Sequence, residues 1–146
     1  MSKSNTFENS LLLLIFNNTD IANIGDATGL QGSSTAGSLY YTLHTADPGE
    51  AGSAITSETA YTDYARVAGA RSAAALTVTN NSVSPAANVD FAECGVTPGA
   101  AITHFGVVNT ASGAGVLLYS GTVTPNITMA AGVIPRLKTT STITED

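Results

Sequence analysis

The stretch Ile102-Thr103-His104-Phe105-Gly106-Val107-Val108-Asn109, then Ser112-Gly113-Ala114-Gly115, then Val116-Leu117-Leu118-Tyr119-Ser120-Gly121-Thr122-Val123-Thr124 decides the fold class. Both flanks are rich in β-branched and aromatic residues, which suit a pleated, half-buried surface. The small residues between them include two glycines, which take positive φ without steric cost, so the spacing predicts a hairpin. Upstream, Leu39 to Thr45 reads as a strand with Leu39, Tyr41 and Leu43 on one face and Tyr40, Thr42 and His44 on the other. Asp47-Pro48-Gly49 is a turn, because Pro presets φ and Gly tolerates a positive one. Residues 46–62 then read as a loop. Tyr64–Ala68 and Ala74–Thr79 read as strands, with a turn at Asn80-Asn81. Val83 and the run Val89 to Ala92 are expected to pair across Pro85. Downstream, Pro125-Asn126, Gly132 and Pro135 punctuate the chain, and the Thr-rich run Leu137 to Thr144 reads as a last strand.

Residues 6–17 carry the helical pattern. Thr6 is placed to cap the first turn and Glu8 sits favourably within it. Phe7, Leu11, Leu14 and Ile15 recur on one helical face, while Leu12, Leu13 and Phe16 widen it. Residues 20–37, with Gly25, Gly29, Gly32 and Gly37, read as a long loop, of the kind that is functional or ordered by a partner. Seven or eight short strands with turn signals every 8–12 residues indicate an all-β sandwich or barrel. The expected architecture is mainly β: one domain over residues 1–146, a β-sandwich, jelly-roll-like or barrel fold (38–144) preceded by one N-terminal α-helix.

Composition narrows the function. The 146 residues are 43% apolar and only 11% charged, against an ordinary quarter charged. Ala, Thr, Ser and Gly make up roughly half the chain. Disordered chains are polar and highly charged, so disorder is excluded. Lys, Glu and Arg are too scarce to flank a coiled-coil seam. With five basic residues and a net charge of -6, no phosphate-neutralising face can form, so no nucleic-acid partner is expected. The longest apolar run, Leu11 to Phe16, is far short of the roughly 20 residues of a spanning helix, so no membrane partner is expected. A signal peptide starting at Lys3 is disfavoured by Glu8 and Asn9 before that short run and by the lack of an A-x-A site after it. One cysteine, Cys94, rules out an internal disulfide and a cysteine-rich zinc site.

Catalytic patterns are sparse. His44 and His104 are the two histidines, each in an expected strand, and with Asp47 or Glu50 they are the candidates for an acid–base or metal site. No ligand spacing supports that, and sheet-face histidines are the ordinary reading. Asp47-Pro48-Gly49-Glu50 lacks the repeated oxygen ligands of a calcium loop. Asp63 and Arg66 straddle Tyr64 and are placed to form an ion pair. Cys94 has no basic neighbour to lower its pKa, so a buried or inert thiol is expected. There is no nucleophile elbow, P-loop or H-E-x-x-H pattern, and no Trp to serve as a sugar platform. Three N-x-S/T matches, at Asn17, Asn80 and Asn126, follow from the Ser- and Thr-rich composition. The expectation is therefore no catalytic residue, no cofactor and no bound metal. A surface poor in Lys and Glu and rich in small residues instead suits packing against copies of itself or a partner lattice.

Five segments, in this order, carry a resemblance: Leu39-Tyr40-Tyr41-Thr42-Leu43-His44-Thr45-Ala46-Asp47-Pro48, Tyr64-Ala65-Arg66-Val67, Asn88-Val89-Asp90-Phe91, Ile102-Thr103-His104-Phe105-Gly106-Val107 and Gly115-Val116-Leu117-Leu118-Tyr119-Ser120-Gly121. Together with the opening helix, and over roughly residues 6–140, the chain resembles short phage virion proteins labelled tail fibre proteins, some of which are capsid cement or decoration proteins. The resemblance implies a non-enzymatic virion structural protein, made in the host cytoplasm and carried on the particle. It favours a cement or decoration protein on the outside of the head, with the major capsid protein as partner and self-association as a homo-dimer or homo-trimer. A tail or tail-fibre component involved in attachment is the alternative. A small secreted β-sandwich binding module or hydrolase is the reading from another class, because fold does not fix function.

Overall fold

The computed structural model describes residues 2–26 and 28–145. The fold class is the expected one: mainly β, with several antiparallel sheets and one N-terminal helix. The chain divides into two compact units. One holds residues 1–38, 69–88 and 138–146, and the other residues 39–68 and 89–137.

The first unit is built on α1 (Asn5–Asn17), which packs on β3 (Leu76–Thr79) and β4 (Ser82–Pro85). Its N-cap is Ser4, not Thr6: Ser4 is extended (φ -82, ψ 148) and its hydroxyl accepts the Phe7 N–H, whereas Thr6 is already helical. Asn18 ends the helix in the left-handed region (φ 57), and the Thr19 N–H returns to the Leu13 carbonyl. The buried face is Glu8, Leu12 and Phe16, one position over from the expected Phe7, Leu11, Leu14 and Ile15. A helix apolar nearly all round gives periodicity little to choose between, and the sheet makes the choice.

The loop after α1 is ordered by its own chain. Ile21 bridges Leu30, Asn18 and Ser33 exchange two hydrogen bonds of 2.8 Å each, and Asp20 accepts the Gly32 N–H at 2.6 Å. The Asp26 carboxylate accepts from Thr28 and Gly29, which holds its carboxyl below the ordinary range. β3 and β4 form the hairpin around Asn80-Asn81, with Leu76 opposite Pro85, and β9 (Ile143–Thr144) adds to β4.

The four-stranded sheet has the order β2-β1-β6-β7, where β1 is Ser38–His44, β2 is Val67–Ala70, β6 is Ile102–Val108 and β7 is Leu117–Ile127, and all of it but Ser38, Gly69 and Ala70 falls in the second unit. The β6–β7 hairpin is as expected, with Gly113 at φ 73 in its turn. β7 runs past Thr124 through Pro125, which an edge strand tolerates because half its N–H groups face no neighbour. The expected strand Tyr64–Ala68 starts later, at Val67, because a turn with Asp63 at φ 76 closes the Tyr64 N–H onto the Tyr61 carbonyl. Val83 and Val89–Ala92 do not pair. β5 (Val89–Asp90) pairs with β8 (Arg136–Leu137), since Pro85 completes the β3–β4 hairpin instead. The expected last strand is two, β8 and β9, parted by a turn in which the Ser141 N–H bonds the Lys138 carbonyl at 2.9 Å.

β1 alternates as expected, with Leu39, Tyr41 and Leu43 buried, yet Thr42 and His44 on its other face are buried as well. Segment 56–59 closes on His44: the Thr56 carbonyl bonds its ring, while Thr59 N–H bonds the Leu43 carbonyl and Thr45 N–H the Ser57 carbonyl along the strand edge. Gly106 in β6 lets that layer close. A Cβ there would meet Thr42 Oγ1 at 2.5 Å and His44 Nε2 at 2.8 Å.

Candidate functional site

The two histidines are brought together: β1 and β6 place His44 directly opposite His104. His44 is fully buried. Its Nδ1 donates to the Thr56 carbonyl at 2.8 Å, so its Nε2 carries the lone pair that accepts from Thr42 Oγ1 at 2.8 Å. Burial lowers its pKa, although the Thr56 carbonyl and Glu58 pull the other way. His104 is half-buried, with Nδ1 2.8 Å from Thr103 Oγ1. A buried imidazole with both nitrogens satisfied holds the sheet together and offers no lone pair to a ligand.

Asp47 and Glu50 stand elsewhere. Asp47 Oδ1 accepts the Gly49 N–H at 2.9 Å, the turn that the sequence predicts. Both acids line a cleft of about 410 Å³ with Gly49 and residues Leu117, Leu118, Tyr119 and Ser120 of β7, and neither histidine reaches it. Among the described residues, no three His, Cys, Asp or Glu side chains gather to hold a metal ion. Cys94 is buried, with Sγ near the Gly95 and Thr97 carbonyls.

Arg66 pairs with Glu58, not with Asp63. Its Nε and Nη2 donate to the two Glu58 oxygens at 2.7 Å each, a bidentate fork. Nη1 donates to the Thr110 carbonyl at 3.1 Å and Nη2 to the Gly113 carbonyl at 2.8 Å, so one guanidinium ties segment 58–66 to the β6–β7 turn. The Tyr64 hydroxyl donates to Glu58 at 2.9 Å and accepts the Leu43 N–H at 3.2 Å. Glu58 wins over Asp63 because it bridges His44 across the β1 edge and faces the guanidinium, while Asp63 is held in its left-handed turn. The fork raises the Arg66 pKa, and burial raises that of Tyr64.

Arg71, which the motifs do not single out, fastens the first unit. It donates to the Leu14 and Ile15 carbonyls at 2.6 Å each and to the Ala36 carbonyl at 3.1 Å. Those helix carbonyls belong to the last turn, where a cation is favoured. Arg136 forks onto Asp90 across the β5–β8 pair, with Nη2 2.8 Å from Oδ2. Lys3 sits 3.1 Å from Glu145. The signal for these fasteners was the scarcity itself: of five basic residues in 146, four, Lys3, Arg66, Arg71 and Arg136, make the contacts given above.

The geometry is that of a scaffold. Fixed charges tie loops to strands, both ring nitrogens of His44 are bonded within the fold, and Asp47 and Glu50 wall an open cleft beside β7. No helix among the described residues is long and apolar enough to cross a membrane. No curated protein matches the chain. The family model described as Podophage GP4 fiber I protein gp80 matches residues 2–144. From its opening helix to its last strand, the chain therefore belongs to the Podophage GP4 fiber I protein gp80 family, a family of phage virion structural proteins.

Proposed function

We propose that this protein is a fibre component of the phage particle that works by docking, without catalysis. The observation that carries this reading is the match of residues 2–144 to a family described as a fibre protein. The clusters around Arg66, Arg71 and His44 support it: their polar groups hold the fold. Docking would use neutral, small-residue faces, with shape fit and backbone hydrogen bonds in place of charge.

A second reading is a cement or decoration protein on the head, with the major capsid protein as partner. The favouring observation is the shortness of the strands, most of them two to seven residues, which build compact units and no repeating shaft among the described residues. A cement protein stabilises by mass action, because whatever binds the assembled shell and not its free subunits favours the shell.

Copy number per particle separates the two. Purified virions are analysed by quantitative mass spectrometry against the major shell protein. A small multiple of the tail symmetry is the expected result for a fibre component. A number near that of the shell protein, or a fixed fraction of it, replaces the fibre reading with the cement one. Absence from the particle sinks both.

A further inference from the structure

We propose that residues 53–57 form a strap over the end of β1 that acid releases, with the buried His44 ring as its latch. The strap carries its own turn: Thr56 N–H bonds the Ser53 carbonyl at 3.0 Å, and Thr56 Oγ1 accepts the Ser53 N–H at 3.0 Å. It can therefore move as a unit. Its ties to the rest of the fold are hydrogen bonds. Ala54 N–H donates to the Gly115 carbonyl at 3.0 Å, Thr45 N–H to the Ser57 carbonyl at 2.8 Å, and His44 Nδ1 to the Thr56 carbonyl at 2.8 Å.

The strap is weakly held. It meets β1 through an isolated bridge, His44 to Glu58, and not through a strand. Ala54 is buried, but Ile55, its largest apolar side chain, is 53% exposed. Ser57 sits at φ 55, a left-handed conformation that strains a residue with a Cβ. Little apolar burial and local backbone strain place a segment at the low-stability end of a fold. Glu58, the next residue, is clamped by the Arg66 fork and by the Tyr64 hydroxyl. Glu58 is thus the fixed end, and the strained Ser57 is the hinge about which the strap lifts.

The surroundings of the ring set the sign of the pH effect. The neutral ring is complete, with Nδ1–H on Thr56 and Nε2 accepting from Thr42 Oγ1 at 2.8 Å. A second proton, on Nε2, meets a hydroxyl that must turn over to accept it, and Thr42 is itself fully buried. The facing carboxylate, Glu58, is already engaged by Arg66 and Tyr64. Arg66 and His104, which lies directly opposite on β6, both repel a cation at this position. β2 and the strap carry no charged side chain. The Thr56 carbonyl and Glu58 favour the charged ring, and burial outweighs them. Lifting the strap gives the ring water, where it regains the ordinary value of 6.5. Below that pH the open form gains on the closed one, by up to about tenfold per pH unit, until the closed form also binds the proton.

Amide hydrogen exchange on the whole chain, from about pH 8 to about pH 5 and corrected for intrinsic rates, tests this. Thr45 and Ala54 N–H report the strap. Thr59 N–H, bonded to the Leu43 carbonyl beyond the hinge, and the β1–β6 amides report the sheet. The strap amides are expected to be at least about tenfold less protected than the sheet amides, and to lose up to about tenfold in protection per pH unit below about 6.5. His44→Asn keeps a donor where Nδ1 stands and takes up no proton, so its strap protection is expected to be level across the pH range. Strap protection equal to that of the sheet, strap protection level with pH in the unaltered chain, or a fall that persists in folded His44→Asn overturns the latch. Should that variant fail to fold, a nuclear magnetic resonance titration of the His44 ring in the unaltered chain decides. Its midpoint must lie below 6.5, and a ring that takes up its proton at or above that value overturns the latch.

Discussion

At the scale of the residue, His44 is the side chain whose role the sequence could not disclose. Its period-two position puts it on the second face of β1, and a strand alone does not say whether that face is covered. Segment 56–59 closes on the ring, both ring nitrogens are bonded, and the proton resides on Nδ1. Burial lowers its folded pKa below the ordinary 6.5. Between the two values the unfolded chain binds a proton that the folded chain refuses, so stability falls as pH falls below about 6.5, by up to about 1.4 kcal/mol per pH unit. Thermal melts from pH 8 downward should show this drop, and His44→Gln should flatten it. An unchanged pH profile in that variant would assign the drop to other groups. Arg66 teaches a related lesson. Sequence proximity nominated Asp63, three residues away, but the bidentate partner is Glu58, eight residues away across the β1 edge.

At the scale of the element, α1 shows how much a local pattern can say. Its existence and its extent to Asn17 were legible, because a leucine-rich run bounded by asparagines has few other solutions. Its buried face was not, because nearly every face is apolar. What holds its C-terminal end is the Arg71 guanidinium on the Leu14, Ile15 and Ala36 carbonyls. Arg71→Ala should cost about 2–4 kcal/mol, as charge-assisted hydrogen bonds are lost and carbonyls are left without donors. Arg71→Lys should recover only part of this, since an ammonium does not reproduce the planar fork. Urea unfolding followed by far-ultraviolet circular dichroism measures both. Equal stability of the alanine variant and the unaltered chain would show that the fork only decorates the helix end.

At the scale of the whole molecule, the charge distribution predicts how the protein holds its partners. With residues 94–135 free of charged side chains, docking through that region should be insensitive to salt. Raising ionic strength from about 0.01 to about 1 M shortens the screening length from about 30 to about 3 Å. Virions sedimented across that range should keep their full complement of this chain, and stepwise release with salt would instead mean charged contacts. The class of fold, the single helix, the β6–β7 hairpin and the poverty of reactive groups were determined by the sequence by itself. They depend on composition, periodicity and turn chemistry, which act over a few residues. The pairing of β5 with β8, the division of the Thr-rich end into two strands, the burial of His44 and the choice of Glu58 by Arg66 were decided only by the tertiary structure. Each joins residues far apart along the chain or depends on which face is covered, and the free energy that selects among such partners comes from burial, which exists only once the chain has folded.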